Sequence, residues 1–94
     1  MYYVYVLQST ETQEFYTGYS ANLKKRVEQH NTGKSFYTSM HGPYKLIYYE
    51  ASMNRHDAIA REKYLKSGMG KRYLKNRMKN YLKLGEEASN RIKA

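Results

Sequence analysis

The sequence predicts an α/β domain of the α+β type, with its strands mostly in the first half and its closing helices in the second. Three observations lead there. Two aromatic and β-branched stretches, residues 2–8 and 14–19, flank a short polar cluster, as the strands of an antiparallel hairpin do. Stretches with apolar residues at helical spacing follow at about 23–31, 54–66 and 71–84. A third β-type stretch, residues 44–51, falls between the first two of these. At 94 residues the chain is expected to fold as one domain over residues 1–84, followed by a polar tail at 85–94.

In the first strand, alternation sets Tyr3, Tyr5 and Leu7 on one face and Tyr2, Val4 and Val6 on the other. Both faces are apolar, so both are expected to be covered. In the second strand, Tyr16 falls at a depth comparable to Tyr5, and Gly18 signals a bulge or a close backbone approach. Ser20 or Asn22 can cap the helix that follows. Its apolar stripe is narrow, Leu23 and Val27, with Arg26 and His30 four residues apart beside it. Asn31-Thr32-Gly33 stops it, and residues 34–43 form a polar loop suited to lining a groove.

Strict alternation in the third strand sets Leu46, Tyr48 and Glu50 against Lys45, Ile47, Tyr49 and Ala51. Asn54 and Asp57 have the spacing of a cap for the second helix, whose inward stripe is Ala58, Ile59, Glu62 and Leu65. A carboxylate on that stripe costs free energy unless it is paired or holds a cation. Ser67-Gly68-Met69-Gly70 reads as a break. The last helix, from Lys71 to about Leu84, then turns Leu74, Met78, Tyr81 and Leu82 to one side.

Composition narrows the function. Leu, Ile, Val and Phe number only 15, but 12 tyrosines supply the missing apolar area while keeping hydroxyl groups for chemistry. The net charge of +9 favours a polyanion, nucleic acid before membrane, and it is concentrated beyond residue 53, where 12 bases meet 4 acids. Without cysteine there is neither a disulfide framework nor a thiolate metal site. The longest apolar run is six residues, so no membrane span is expected and a cytoplasmic location is the default. Phosphate-cradling glycine loops, HExxH and zinc spacings are all missing. What remains is a set of polar side chains on or near inward faces: Tyr5, Tyr16, Arg26, His30 and Glu62. Phosphodiester hydrolysis needs such a set: a group to activate water, a cation against the phosphoryl oxygens, and often a carboxylate-bound metal.

Tyr3-Val4-Tyr5, Tyr16-Thr17-Gly18, residues 22–27 with His30-Asn31, residues 45–50 and Ala60-Arg61-Glu62-Lys63 together, in this order, resemble the GIY-YIG endonuclease superfamily, and most closely its small stand-alone bacterial members. The likeness covers roughly residues 2–76. It implies a three-stranded antiparallel sheet flanked by three or more helices, with a divalent-metal nuclease site on one face. By matching position, Tyr5 and Tyr16 are the motif tyrosines, Arg26 the helix arginine, His30 the residue one turn later, and Glu62 the metal-binding glutamate for one Mg²⁺ or Mn²⁺. Tyr3 stands for the usual glycine, Thr17 for isoleucine and Tyr19 for a frequent lysine, with Asn76 the counterpart of a late asparagine in some relatives.

The implied activity is metal-dependent DNA cleavage, structure-dependent or weakly sequence-specific, in DNA repair or processing, with Tyr16 orienting or deprotonating water with help from Tyr5 or His30. RNA stays open as a substrate, as does a monomer or weak homodimer. No small-molecule cofactor is expected. Lys24, Lys25, Lys71, Arg72, Lys75 and Lys79 are the expected phosphate contacts, and His41 and His56 are expected at the surface. The alternatives are a nucleic-acid-binding module of the same fold with little or no catalysis and, further off, a tyrosine-rich protein-interaction module.

Overall fold

A computed structural model of the chain describes residues 1–32 and 42–85. Of the expected loop at 34–43, residues 34–41, including His41, lie outside the described residues, as do Gly33 and the tail beyond 85. Two compact units, Met1–Lys63 and Tyr64–Ala94, make up the chain.

The first unit is built on a three-stranded antiparallel sheet in the order β2-β1-β3, with β1 Tyr2–Ser9, β2 Phe15–Ser20 and β3 Tyr44–Ser52. The central strand is the most apolar one, and Val4, Tyr5, Val6 and Leu7 are all at most 1% exposed. Burying each such side chain stabilises by about 1.5–3 kcal/mol, which is why the strand covered on both faces becomes the middle one. The hairpin joining β1 to β2 is organised by Ser9, whose buried hydroxyl accepts from the backbone N–H of Glu11 at 3.1 Å and of Thr12 at 3.0 Å.

Gly18 shows a close approach rather than a bulge. It pairs directly with Tyr5, and a Cβ there would overlap the Tyr5 ring and hydroxyl. The sheet irregularity instead lies between β1 and β3, where Val6 pairs with Tyr48 but Leu7 pairs with Leu46. Ile47 is thus an extra residue. Directly paired residues share a face, so Tyr44 and Leu46 join Tyr49 and Ala51 on the Tyr5 side, and Lys45, Tyr48, Glu50 and Ser52 lie opposite. Strict alternation had put Leu46 with Tyr48 and Glu50. A bulge breaks the period of two and corrects that assignment.

Helix α1, Leu23–Asn31, is capped by the Asn22 side chain, which accepts from Lys25 N–H, and it ends at Thr32. Leu23 and Val27 pack on the core of Tyr5, Leu7 and Tyr44, together with Tyr16. Asn31 fastens the helix end to β3: its Nδ2 donates to Tyr44 O at 2.9 Å and its Oδ1 accepts from Tyr44 N at 2.7 Å. Helix α2, Arg55–Lys66, is capped by Asn54, whose Oδ1 accepts from His56 N–H at 2.8 Å; the His56 side chain is exposed, as expected. Arg61 on α2 pairs with Glu50 at 2.9 Å, and Tyr48 donates to the same carboxylate at 2.8 Å.

In the second unit the expected break at residues 67–70 is the start of a helix. Ser67 caps α3, Gly68–Arg77, by accepting from Gly70 N–H at 3.1 Å. The chain turns at Met78, and a further helical segment runs over 79–85, so residues 71–84 are two pieces rather than one. Leu65, Leu74 and Met78 are buried, and Tyr81 and Leu82 half-buried. Glycines 68 and 70 look alike in sequence but differ in surroundings. A Cβ at Gly70 would overlap the backbone of Tyr64 and Leu65, whereas one at Gly68 meets nothing within 4 Å.

Gly70→Ala is therefore expected to lower the urea-unfolding free energy by about 1–3 kcal/mol, the usual cost of overpacking. Gly68→Ala should be neutral or stabilise by up to about 1 kcal/mol through helix propensity.

Candidate active site

The polar cluster grows out of the Tyr5–Gly18 pair. Because Gly18 has no side chain, the Tyr5 ring lies across its backbone and the hydroxyl reaches toward α1. There it meets His30 Nε2 at 2.9 Å and Arg26 Nε at 3.3 Å. Arg26 and His30 leave one side of α1 a turn apart, so the helical repeat alone delivers both to the same hydroxyl. Tyr16, diagonal to Tyr5 on the neighbouring strand, closes the group: its ring lies 4.9 Å from the His30 ring, edge-on, and 6.5 Å from the Tyr5 ring.

The proton positions follow from what each group can do. Arg26 can only donate, so Tyr5 Oη accepts from it. Burial holds His30 neutral, its pKa lowered from 6.5 to about 4, with the Arg26 charge adding to the effect. A neutral imidazole can accept at Nε2, and the Tyr5 proton is assigned there, with the His30 proton on Nδ1. Tyr5 is itself raised above the ordinary tyrosine value, first by burial; the hydrogen bond from Arg26 opposes this, and the charges of Tyr16 and Glu62 add to it. It keeps its proton at neutral pH.

Arg26 is held firmly cationic by its hydrogen bond to Tyr5, against the cost of partial burial, with Tyr16 contributing a second hydrogen bond. Its Nη1 also donates to Gln29 Oε1 at 3.2 Å. A guanidinium carries five N–H donors, more than these partners take up. Gln29 was not singled out in the sequence. The signal was its position three residues after Arg26, which is ambiguous on any helix.

Tyr5, Tyr16, Arg26 and His30 are thus brought together by direct contacts. Glu62 is half-buried on α2, and its negative charge acts on Tyr5. Among the described residues no group of three or more His, Cys, Asp and Glu could hold a metal. Mg²⁺ is commonly held by one or two protein carboxylates, a mode that a single carboxylate could supply. Glu62 suits that mode. His30 does not serve as a ligand through Nε2, which is engaged by Tyr5.

Lys24 and Lys25 are exposed on α1, and Lys71, Arg72, Lys75 and Lys79 are exposed in the second unit, as is Asn76. Tyr19 stacks on Tyr2 at 6.5 Å and pairs with Val4, on the sheet face opposite Tyr5. It takes no part in the cluster. No helix among the described residues is long and apolar enough to cross a membrane.

Known proteins are similar to this chain in sequence. The family model of the GIY-YIG catalytic domain matches residues 1–77. A UPF0213 protein of Pediococcus acidilactici, from the ldhD 5′ region, is 43% identical over 81 residues, 80% of this chain and 82% of that protein. A UPF0213 protein of Clostridium perfringens is 43% identical over 67 residues, 70% of this chain and 71% of that one. Among solved structures, the solution NMR structure of a UPF0213 protein from Bacillus halodurans is 32% identical, with a TM-score of 0.49, over 79% of this chain and 82% of that one.

Because His30 is neutral in the folded protein and titrates near 6.5 when unfolded, the unfolded state binds the extra proton as pH falls. Stability from this source is complete above pH 6.5 and is lost between pH 6.5 and 4, approaching roughly 3 kcal/mol. His30→Gln keeps an acceptor for Tyr5 but cannot titrate. Urea midpoints at pH 7 and 4.5 should differ less in that variant than in the wild type.

Proposed function

The chain belongs to the GIY-YIG catalytic domain family, a nuclease family, and from that membership we propose that it is a divalent-metal-dependent endonuclease hydrolysing DNA phosphodiester bonds. The observation that supports the reading best is the shared hydroxyl of Tyr5, which fixes a cationic Arg26 beside Tyr16 on a half-buried face.

Glu62 would hold the Mg²⁺ or Mn²⁺ ion, which when bound would supply charge neutralisation at the phosphate and polarise the phosphorus–oxygen bond. Arg26 directs its remaining N–H donors at the non-bridging phosphate oxygens, where negative charge builds as water attacks and the ester oxygen leaves. Tyr16 is the half-exposed phenol of the pair, and it orients the attacking water through its hydroxyl. Tyr5 is fully buried and retains its proton, so it positions Arg26 and does not meet the water. His30 takes the Tyr5 hydrogen bond and keeps the hydroxyl from rotating away from Arg26.

Affinity for the substrate comes largely from charge. The described part of the second unit carries Lys66, Lys71, Arg72, Lys75, Arg77, Lys79 and Lys83 and no acid, so it makes sequence-independent phosphate contacts. That favours weak sequence specificity, with a role in DNA repair or processing in the cytoplasm.

Glu62→Gln should lower metal-dependent cleavage by at least about a hundredfold while binding in EDTA is retained; undiminished cleavage contradicts the assignment of Glu62. Binding without any metal-dependent cleavage by the wild type contradicts the enzyme reading in favour of a binding module. Each of Lys71→Ala and Lys75→Ala should reduce the slope of log affinity against log salt by about 1.

A further inference from the structure

A second feature lies on the same face of the sheet, on the other side of β1 from Tyr16. Between α1 and β3 there is an open groove of about 570 Å³, lined by Tyr3, Asn22, Lys24, Val27, Leu46 and Tyr49 among others. Its size is within the range of small-molecule sites. Its floor is apolar, from Val27 and Leu46. Its wall is Tyr49, which is 55% exposed and meets Tyr3 edge-on, with ring centroids 6.1 Å apart at 62°. With 55% of Tyr49 exposed, ring surface is left open to another planar group.

An exposed tyrosine and an exposed Leu46 in a chain this basic are unusual enough to ask what covers them. Two observations identify the occupant. Among the described residues the charged lining residue of the groove is Lys24, with Lys25 exposed next to it and no acid in the lining, so the occupant carries negative charge beside an aromatic or apolar body. Tyr49 is also the direct cross-strand partner of Tyr5, which places its Cβ about 4.5–5.5 Å from that of Tyr5. The groove therefore begins beside the strand residue whose hydroxyl holds Arg26.

We propose that this groove receives a nucleobase of the strand being cut, stacked on Tyr49 with its phosphate at Lys24, while a neighbouring phosphate of that strand is held by Arg26. The inference rests on the nuclease reading and deepens it. A base in a duplex has both faces covered by its neighbours, so only an unpaired or extruded nucleotide can lie on Tyr49. The substrate class is accordingly nucleic acid with a single-stranded nucleotide next to the scissile phosphate: a free strand, a flap, a bulge or a loop. The chemistry of stacking is tolerant of base identity, in keeping with weak sequence specificity.

The test separates base from backbone. Fluorescence anisotropy in EDTA, so that nothing is cut, compares a labelled oligothymidylate with an abasic chain of equal length and charge. Wild-type protein should bind the oligothymidylate about tenfold tighter or more. Tyr49→Ala should remove most of that preference, leaving affinity for the abasic chain unchanged, and Tyr49→Phe should preserve it. Tyr49 is exposed, so neither change removes a buried contact. Equal wild-type affinity for the two probes overturns the inference and leaves the nuclease reading standing, as does a preference that survives in Tyr49→Ala. Failure of the wild type to bind either probe at low salt overturns the nuclease reading and this inference with it.

Discussion

The hydrogen bond between Tyr5 Oη and His30 Nε2, 2.9 Å long and buried, is the constraint on which the rest of the site depends. It joins the central strand to the end of α1, 25 residues away in sequence. It also decides the charge states around it. Because His30 is neutral, it accepts; because it accepts, the Tyr5 oxygen keeps its other side for Arg26; and because Arg26 is bound there, its cation is fixed at one place instead of sweeping a long side chain through solvent. Leaving any one of these buried groups unpaired costs about 1–3 kcal/mol. The network is thus made whole or not at all.

The sheet supplies the space for this bond by two departures from regularity. Gly18 removes a side chain where the Tyr5 ring must lie. The extra residue Ile47 shifts the β3 register between Val6 and Leu7, so that Tyr44, Leu46 and Tyr49 all reach the face that α1 covers. Asn31 then ties the end of α1 to Tyr44 through both of its amide atoms, and the helix end that carries His30 cannot drift from the sheet. Nuclease chemistry, as proposed, uses a cation held at fixed range from water and phosphate, and preorganised charge of that kind is commonly the largest contribution to lowering a barrier.

Much of the fold was legible in the sequence. The hairpin, α1 to within a residue at each end, the third strand and the Asn54 cap followed from alternation, helical spacing and capping chemistry, which are local, while the first cap was narrowed only to Ser20 or Asn22. What escaped was set by contacts distant in sequence. Nothing local marks Ile47 as an extra residue, since the strand reads smoothly through it. Gly70 reads as a breaker, and only the backbone of Tyr64 and Leu65 pressing on it explains a glycine in the first turn of α3. In the site, Tyr5, Tyr16, Arg26, His30 and Glu62 stood out as polar side chains on or near inward faces, and the family resemblance alone gave them roles; their residue types also fit core aromatics and surface charges. The division between the two tyrosines, one buried and protonated and one reachable by water, needed burial to be seen. The same holds for Gln29 and for the groove at Tyr49.

The account turns on His30 being a neutral acceptor, and nitrogen-detected NMR of the imidazole measures that directly. At pH 7 the prediction is an unprotonated Nε2 and a protonated Nδ1, with titration only near pH 4. An imidazole protonated at Nε2, or one titrating at the ordinary value near 6.5, would contradict it: Nε2 would then donate to Tyr5 Oη instead of accepting from it, and the Tyr5 proton would need another acceptor.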